Sequence, residues 1–230
     1  MNNIIPAKSL LLLIASLLWQ PLWAADSAPE QLVRVTADQV LAEIKSRQAE
    51  FQQDPAKLYA MVDEKVLQHF DFDRMTDLAL GRYKRQVKGD QKPQLVREFR
   101  SLLVRTYGKA LLEYNDQNIV YLPMRGSLDE GEVTVRTEIE QQGGFPIPLD
   151  YKLYKDQQGW KVYDISVDNI SLVTNYRSSF AREIKSSGID GLIKRLQERN
   201  SEQILEHEDP DGQPTCERLR LARALQSLYG

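Results

Sequence analysis

The chain has 230 residues, with 30 Lys plus Arg against 33 Asp plus Glu, a formal charge of −3 and 42% hydrophobic residues. That length suits one domain, or one domain with an appended subdomain, and a core of that size needs neither disulfides nor metals. The lone Cys216 excludes an intrachain disulfide framework and a Cys-based zinc or iron–sulfur site, His69 and His207 leave little for histidine chemistry, and the slightly acidic balance argues against a nucleic-acid partner.

The first segment reads as an address. Lys8 precedes the apolar run 10–19, which breaks at Gln20-Pro21 before Leu22-Trp23-Ala24. This pattern predicts a secretory signal peptide over 1–24, with Leu22 larger than the usual small residue. The competing reading is an uncleaved anchor, but the run is short for a bilayer span of roughly 20 residues. Removing residues 1–24 takes away one base and no acid, leaving 29 basic against 33 acidic residues and a charge of −4. The expected product is a soluble exported protein whose domain covers 25–206, with an extension over 207–230.

Ser27-Ala28-Pro29-Glu30 predicts a helix start, and Leu32, Val35, Val40, Ile44 and Phe51 follow at helical spacing. Asp54-Pro55 starts a second helix with Leu58, Met61, Val62, Leu67 and Phe70 on its apolar side. Asp71 or Asp73 caps a short third helix, and Pro93 opens a long fourth one carrying Leu95, Phe99, Leu102, Leu103, Tyr107 and Leu111. At Asn115-Asp116 the period changes. Ile119–Met124, Val133–Ile139, Leu149–Tyr154 and Trp160–Val167 alternate as strands, separated by turns short enough for an antiparallel meander of about four strands. Helical spacing returns through Ile170, Val173, Tyr176, Phe180 and Ile184, stops at Ser187-Gly188, and resumes over 190–203. Thr215–Leu228 reads as a short amphipathic helix. Helices, then strands, then helices is the α+β pattern. Helices on one face of such a sheet can leave a pocket between the layers.

Catalytic motifs are absent: no P-loop, no Gly-x-Gly-x-x-Gly, no Gly-x-Ser-x-Gly and no His-Glu-x-x-His. The basic run Gly81-Arg82-Tyr83-Lys84-Arg85 fits either an anionic contact or a solvated helix face, and the second is the commoner use of a short charge run. His69 fits either a general base or a structural histidine; no partnered nucleophile accompanies it. Asp164 fits either a proton-transfer base beside a pocket or a carboxylate bonded to a nearby loop or helix start. Acid–base work needs a positioned partner, which favours the second.

The stretch from Gly159 to Val173, with Tyr176-Arg177-Ser178-Ser179-Phe180 and Ser187-Gly188-Ile189-Asp190-Gly191-Leu192, resembles the MlaC family, also called the toluene-tolerance auxiliary family. Phe70-Asp71-Phe72, Leu80-Gly81-Arg82-Tyr83-Lys84 and Thr106-Tyr107-Gly108-Lys109-Ala110-Leu111 fit the same pattern. The resemblance implies a periplasmic glycerophospholipid carrier of an ABC-type lipid transport system, which maintains outer-membrane lipid asymmetry. Its implied partners are an outer-membrane lipoprotein–porin complex and an inner-membrane ABC transporter complex. The implied fold is nuclear-transport-factor-2-like: a curved antiparallel sheet on helices, with a helical subdomain. The family brings no catalytic residue, metal or cofactor; phospholipid is the cargo. Position and period, rather than a family motif, select the expected lipid-lining residues: Leu103, Tyr107, Leu111, Val133, Val135, Tyr151, Leu153, Tyr163, Ile165, Val167, Ile170 and Val173. On that expectation, Arg at Val135 or Ile165 abolishes lipid retention and leaves helix content largely intact. The alternatives are a pocket enzyme using Asp164 as base, and an envelope interaction module whose apolar faces are all filled core.

Overall fold

The structure is a computed structural model that describes residues 28–108, 111–112, 117–140 and 144–205. The expected signal peptide, the 207–230 extension, Cys216 and His207 lie outside the described residues. Helix α1 spans Ala28–Gln53 and is kinked at Arg47, and α2 spans Pro55–Lys65. Asp54 caps α2 by accepting from the Ala56 N–H, with Pro55 in the first turn. A short 3-10 turn, Leu67–His69, leads to α3, Phe72–Leu80, where Asp71 accepts from the Arg74 N–H as N-cap. Gly81, at φ +56°, ends α3 in a conformation that suits glycine.

Helix α4 runs from Gln91 to Gly108 and so begins before Pro93. The Gln91 side chain accounts for the earlier start: its Oε1 accepts from the Lys88 N–H at 2.9 Å, and its Nε2 donates to Asp190. Strands β1 (Ile119–Ser127), β2 (Glu132–Ile139), β3 (Ile147–Asp156), β4 (Gly159–Val167) and β5 (Ile170–Ser171) pair antiparallel in sequence order. The two-residue β5 adds a fifth strand to the four expected. It exists because Asp168 and Asn169 both take positive φ, the requirement of a tight hairpin turn that folds Ile170 back against Val167. Helix α5, Leu172–Leu205, is kinked at Gly188, where φ is +73°.

Two apolar clusters divide the molecule. One lies among the helices around Phe51, Leu58, Met75, Leu95, Phe99 and Phe180. The other joins Val33 of α1 to Val133, Val135, Leu153 and Val162 on the sheet. Phe70 touches both, and the Asp71 N–H donates to the Val162 carbonyl at 2.9 Å, which ties the helical layer to the edge of β4.

Candidate functional site: the apolar face of the sheet

Antiparallel register sorts the strand residues onto two faces. One face carries Val133, Val135, Thr137 and Ile139 from β2, opposite Leu153, Tyr151, Leu149 and Ile147 of β3. Ile119 and Tyr121 of β1 sit opposite Ile139 and Thr137, and Val167 and Ile165 of β4 opposite Leu149 and Tyr151. Along the strands this face has two halves. In the proximal half, Val33 and Leu32 of α1 pack on Val133, Val135, Leu153 and Val162, and the four sheet residues are buried. In the distal half, Ile119, Tyr121, Ile139, Ile147, Leu149 and Val167 are each only half-buried. All of these except Tyr121 belong to neither cluster. No charged side chain stands in those rows. The one alcohol, Thr137, donates its Oγ1 proton to the Leu149 carbonyl at 2.7 Å, so it presents a methyl group to the face.

The twelve expected lining residues separate on this geometry. Val133, Val135 and Leu153 are proximal core, so Arg at Val135 would break the seat of α1 instead of probing a pocket. Tyr151 and Ile165 pack at the border between the halves. Burial pushes the Tyr151 phenol up, and the neighbouring Tyr121 phenol adds to that shift. Val167 and Ile170 pair in a distal row, with Ile170 56% exposed at its end. Leu103 and Val173 are buried in the helical cluster, and Leu111 packs against it. Tyr107, at the exposed end of α4, hydrogen-bonds the Tyr176 hydroxyl.

Tyr163 is a correction. A bulge opposite Lys152 and Leu153 breaks the period of two in β4, leaving Leu153 opposite Val162 and Lys152 opposite Asp164. Tyr163 therefore lies against Tyr154 on the reverse face, ring centres 5.9 Å apart, with the Arg74 guanidinium 4.1 Å from both rings.

The reverse face also holds Asp164, which is 4% exposed. Its Oδ2 accepts from Lys152 Nζ at 3.0 Å and Ser171 Oγ at 2.7 Å, and its Oδ1 accepts from the Val173 N–H at 3.3 Å. The carboxylate bolts β4 to the start of α5, and it faces away from the apolar rows. This is the helix-start reading of Asp164 and leaves the base of the alternative enzyme without access to them. Burial and nearby Lys161 push the His69 imidazole below its usual range. Within the basic run, Tyr83 is buried in the helical cluster and accepts from Arg82 at 3.0 Å, so its ring is core.

Two clefts line the helical layer, one of about 840 Å³ between α2 and α4 and one of about 740 Å³ beside α3. Asp63, Glu64, Arg97 and Arg100 wall the first, Arg74, Asp77, Lys84 and Lys88 the second. Charged walls do not suit acyl chains, and none of the twelve expected residues lines either cleft. Among the described residues, no group of His, Cys, Asp and Glu is placed to hold a metal, and no helix is long and apolar enough to cross a membrane.

The model of the MlaC protein family matches residues 34–198, more than half of the chain. The chain belongs to the MlaC family. Among relatives of this MlaC chain, the intermembrane phospholipid transport system binding protein MlaC of Haemophilus influenzae is 27% identical over 184 residues, covering 79% of this chain and 86% of that one. The toluene tolerance protein ttg2D of Pseudomonas putida is 26% identical over 185 residues, covering 80% and 84%. The solved phospholipid-binding protein of Ralstonia solanacearum, in complex with a phospholipid, superposes with a TM-score of 0.71 at 36% identity, over 76% of this chain and 98% of that one. This chain shares its α+β architecture with that phospholipid-bound protein.

Sequence reasoning missed Ile119, Tyr121, Ile139, Ile147 and Leu149 as candidate lining. Their alternation was visible. What was not visible is that α1 covers one half of the face and not the other.

Proposed function

We propose that this chain is a periplasmic phospholipid carrier, exported by a cleaved signal peptide. It shuttles glycerophospholipid between an outer-membrane lipoprotein–porin complex and an inner-membrane ABC transporter complex. The observation that carries the reading is the distal half of the sheet face: apolar, uncharged and half-buried, in a chain 36% identical to a phospholipid-bound structure. The acyl chains lie against Ile139, Leu149 and Val167, and the head group stays toward solvent.

The energetics fit a shuttle. Each buried CH₂ contributes about 0.8 kcal/mol, so a 16-carbon chain gains on the order of 12 kcal/mol on leaving water. Leaving a bilayer costs a similar amount, so the protein surface has to match hydrocarbon and no more. A face without charges does this. The reverse face, with Arg136, Glu138, Asp150 and Lys152, does not.

The test is to purify the protein from the envelope of its host, extract it with organic solvent and identify the extract by mass spectrometry. Near-stoichiometric phospholipid is expected. An empty protein that also takes up no lipid from vesicles would overturn the reading. N-terminal sequencing of the same sample should begin at Ala25.

A further inference from the structure

Beyond Leu205 the sequence continues with a polar stretch, 206–214, and then Thr215–Leu228. Helical spacing puts Leu221, Ala222, Leu225 and Leu228 of this segment on one side, and Cys216, Arg220, Arg223 and Ser227 on the other. The segment lies outside the described residues, and the family match ends before it, at residue 198. A helix of fourteen residues is marginal alone in water, so this apolar stripe needs a partner.

The fold fixes where the segment is tethered. The Gln91 side chain donates to Asp190, and Asn200 Nδ2 donates to the Glu98 carbonyl at 3.1 Å, so the last part of α5 runs alongside α4 in the same direction. Burial raises the Tyr176 phenol and the Arg199 charge opposes it, which puts Arg199 within reach of the second turn of α5. That turn follows directly on β5, where Ile170 pairs with Val167 in a distal row. The end of α5 is therefore on the side of the molecule where the apolar half-face lies. Residues 206–214 reach about 30 Å when extended, and a helix over 215–228 is about 21 Å long. Strands spaced by about 4.8 Å put β1 roughly 14 Å from β4, so one such helix is long enough to cross the half-face. Charge points the same way. The distal rows carry none, the arginines occupy the opposite stripe, and 206–228 as a whole has five acids to three arginines, which disfavours an anionic bilayer surface.

We propose that the 215–228 segment covers the distal half of the sheet face in the lipid-free protein, and that phospholipid acyl chains displace it. This rests on the carrier reading and adds to it a regulation of the same site. The tether holds the segment at an effective concentration in the millimolar range, so weak docking suffices to shield the apolar rows from water. Lipid binds only the uncovered fraction, which lowers its apparent affinity, and the returning segment helps to release the cargo.

The test uses the full-length mature protein, stripped of lipid, with a diazirine-bearing amino acid in place of Leu225. Irradiation and tandem mass spectrometry should find adducts on distal residues such as Ile119, Ile139 and Leu149, and saturating phosphatidylglycerol vesicles should abolish them. In a second arm, Leu221→Asp and Leu225→Asp together should lower the phosphatidylglycerol concentration for half-loading about tenfold, and Arg220→Gln on the opposite stripe should leave it unchanged. Thermal melting checks that the body of each variant stays folded, and the cross-linking arm does not depend on the variants. Adducts in the clefts of the helical layer, on lipid or on a second protein molecule would overturn the proposal. So would distal adducts that persist at saturating lipid, or half-loading unaltered by the paired Asp substitutions. Each of these leaves the carrier reading intact. A wild type and a paired Asp variant that both load no lipid overturn the carrier reading and the competition with it.

Discussion

Leu153 and Leu149 stand four residues apart on β3, point to the same face and are the same side chain. Leu153 is fully enclosed by Val133, Val162 and Val33, while Leu149 is half-buried and in contact with neither core cluster. The difference comes from α1, whose Val33 and Leu32 reach only the proximal half. One sheet face thus serves two purposes. The proximal half holds the molecule together, and the distal half is the surface we propose for acyl chains. Residue type does not separate them; the reach of a neighbouring helix does.

The sharpest way to break this comparison is to place the same charge in both halves. Leu153→Asp buries an unpaired carboxylate and should destabilise by about 4 kcal/mol or more, read as loss of the cooperative thermal transition. Leu149→Asp should stay within about 1 kcal/mol of the wild type in stability and lose co-purifying phospholipid. Equal destabilisation by the two would mean that the halves are one core. Next in size is Asp164→Ala. It strips the Val173 N–H and Ser171 Oγ of their acceptor at the start of α5, and should cost roughly 3 kcal/mol in a denaturant titration, while lipid retention survives. Lipid loss at unchanged stability would instead return Asp164 to the binding surface.

The smallest effect concerns pH. The Tyr154 hydroxyl donates to the Asp71 carboxylate, and that bond, before burial, pushes the phenol up to about 12. A pKa raised in the folded state stabilises below the unfolded value near 10 and is lost as pH rises through the folded value. Tyr154→Phe should therefore be less stable than the wild type at pH 7 to 9, with the gap closing between pH 10 and about 12. A gap independent of pH would remove the Asp71 bond from the account. Lipid retention should not respond, because Tyr154 is on the reverse face.

Much of the fold was legible. The change of period near 115, the turn residues at 127–131 and 156–159, and the caps Asp54 and Asp71 all name their elements through local chemistry. The losses have physical causes. A one-residue bulge turned Tyr163 to the other face, and alternation alone cannot reveal a bulge. Leu103 and Val173 have helical spacing that fixes which side of a helix is apolar, but not whether that side meets the sheet or other helices; they meet helices. The family resemblance carried the functional proposal because the residues proposed to hold lipid are ordinary aliphatic ones.

The division of the sheet face is tested most directly by covalent mapping of the cargo. The protein is loaded with a phospholipid bearing a diazirine near the end of one acyl chain, irradiated and digested, and the modified residues are located by tandem mass spectrometry. Adducts should concentrate on distal residues such as Ile139, Leu149 and Val167, and spare Leu153, Val162 and the reverse-face residues Lys152 and Tyr154. Adducts concentrated in the charged cleft between α2 and α4, or on the reverse face, would contradict the account.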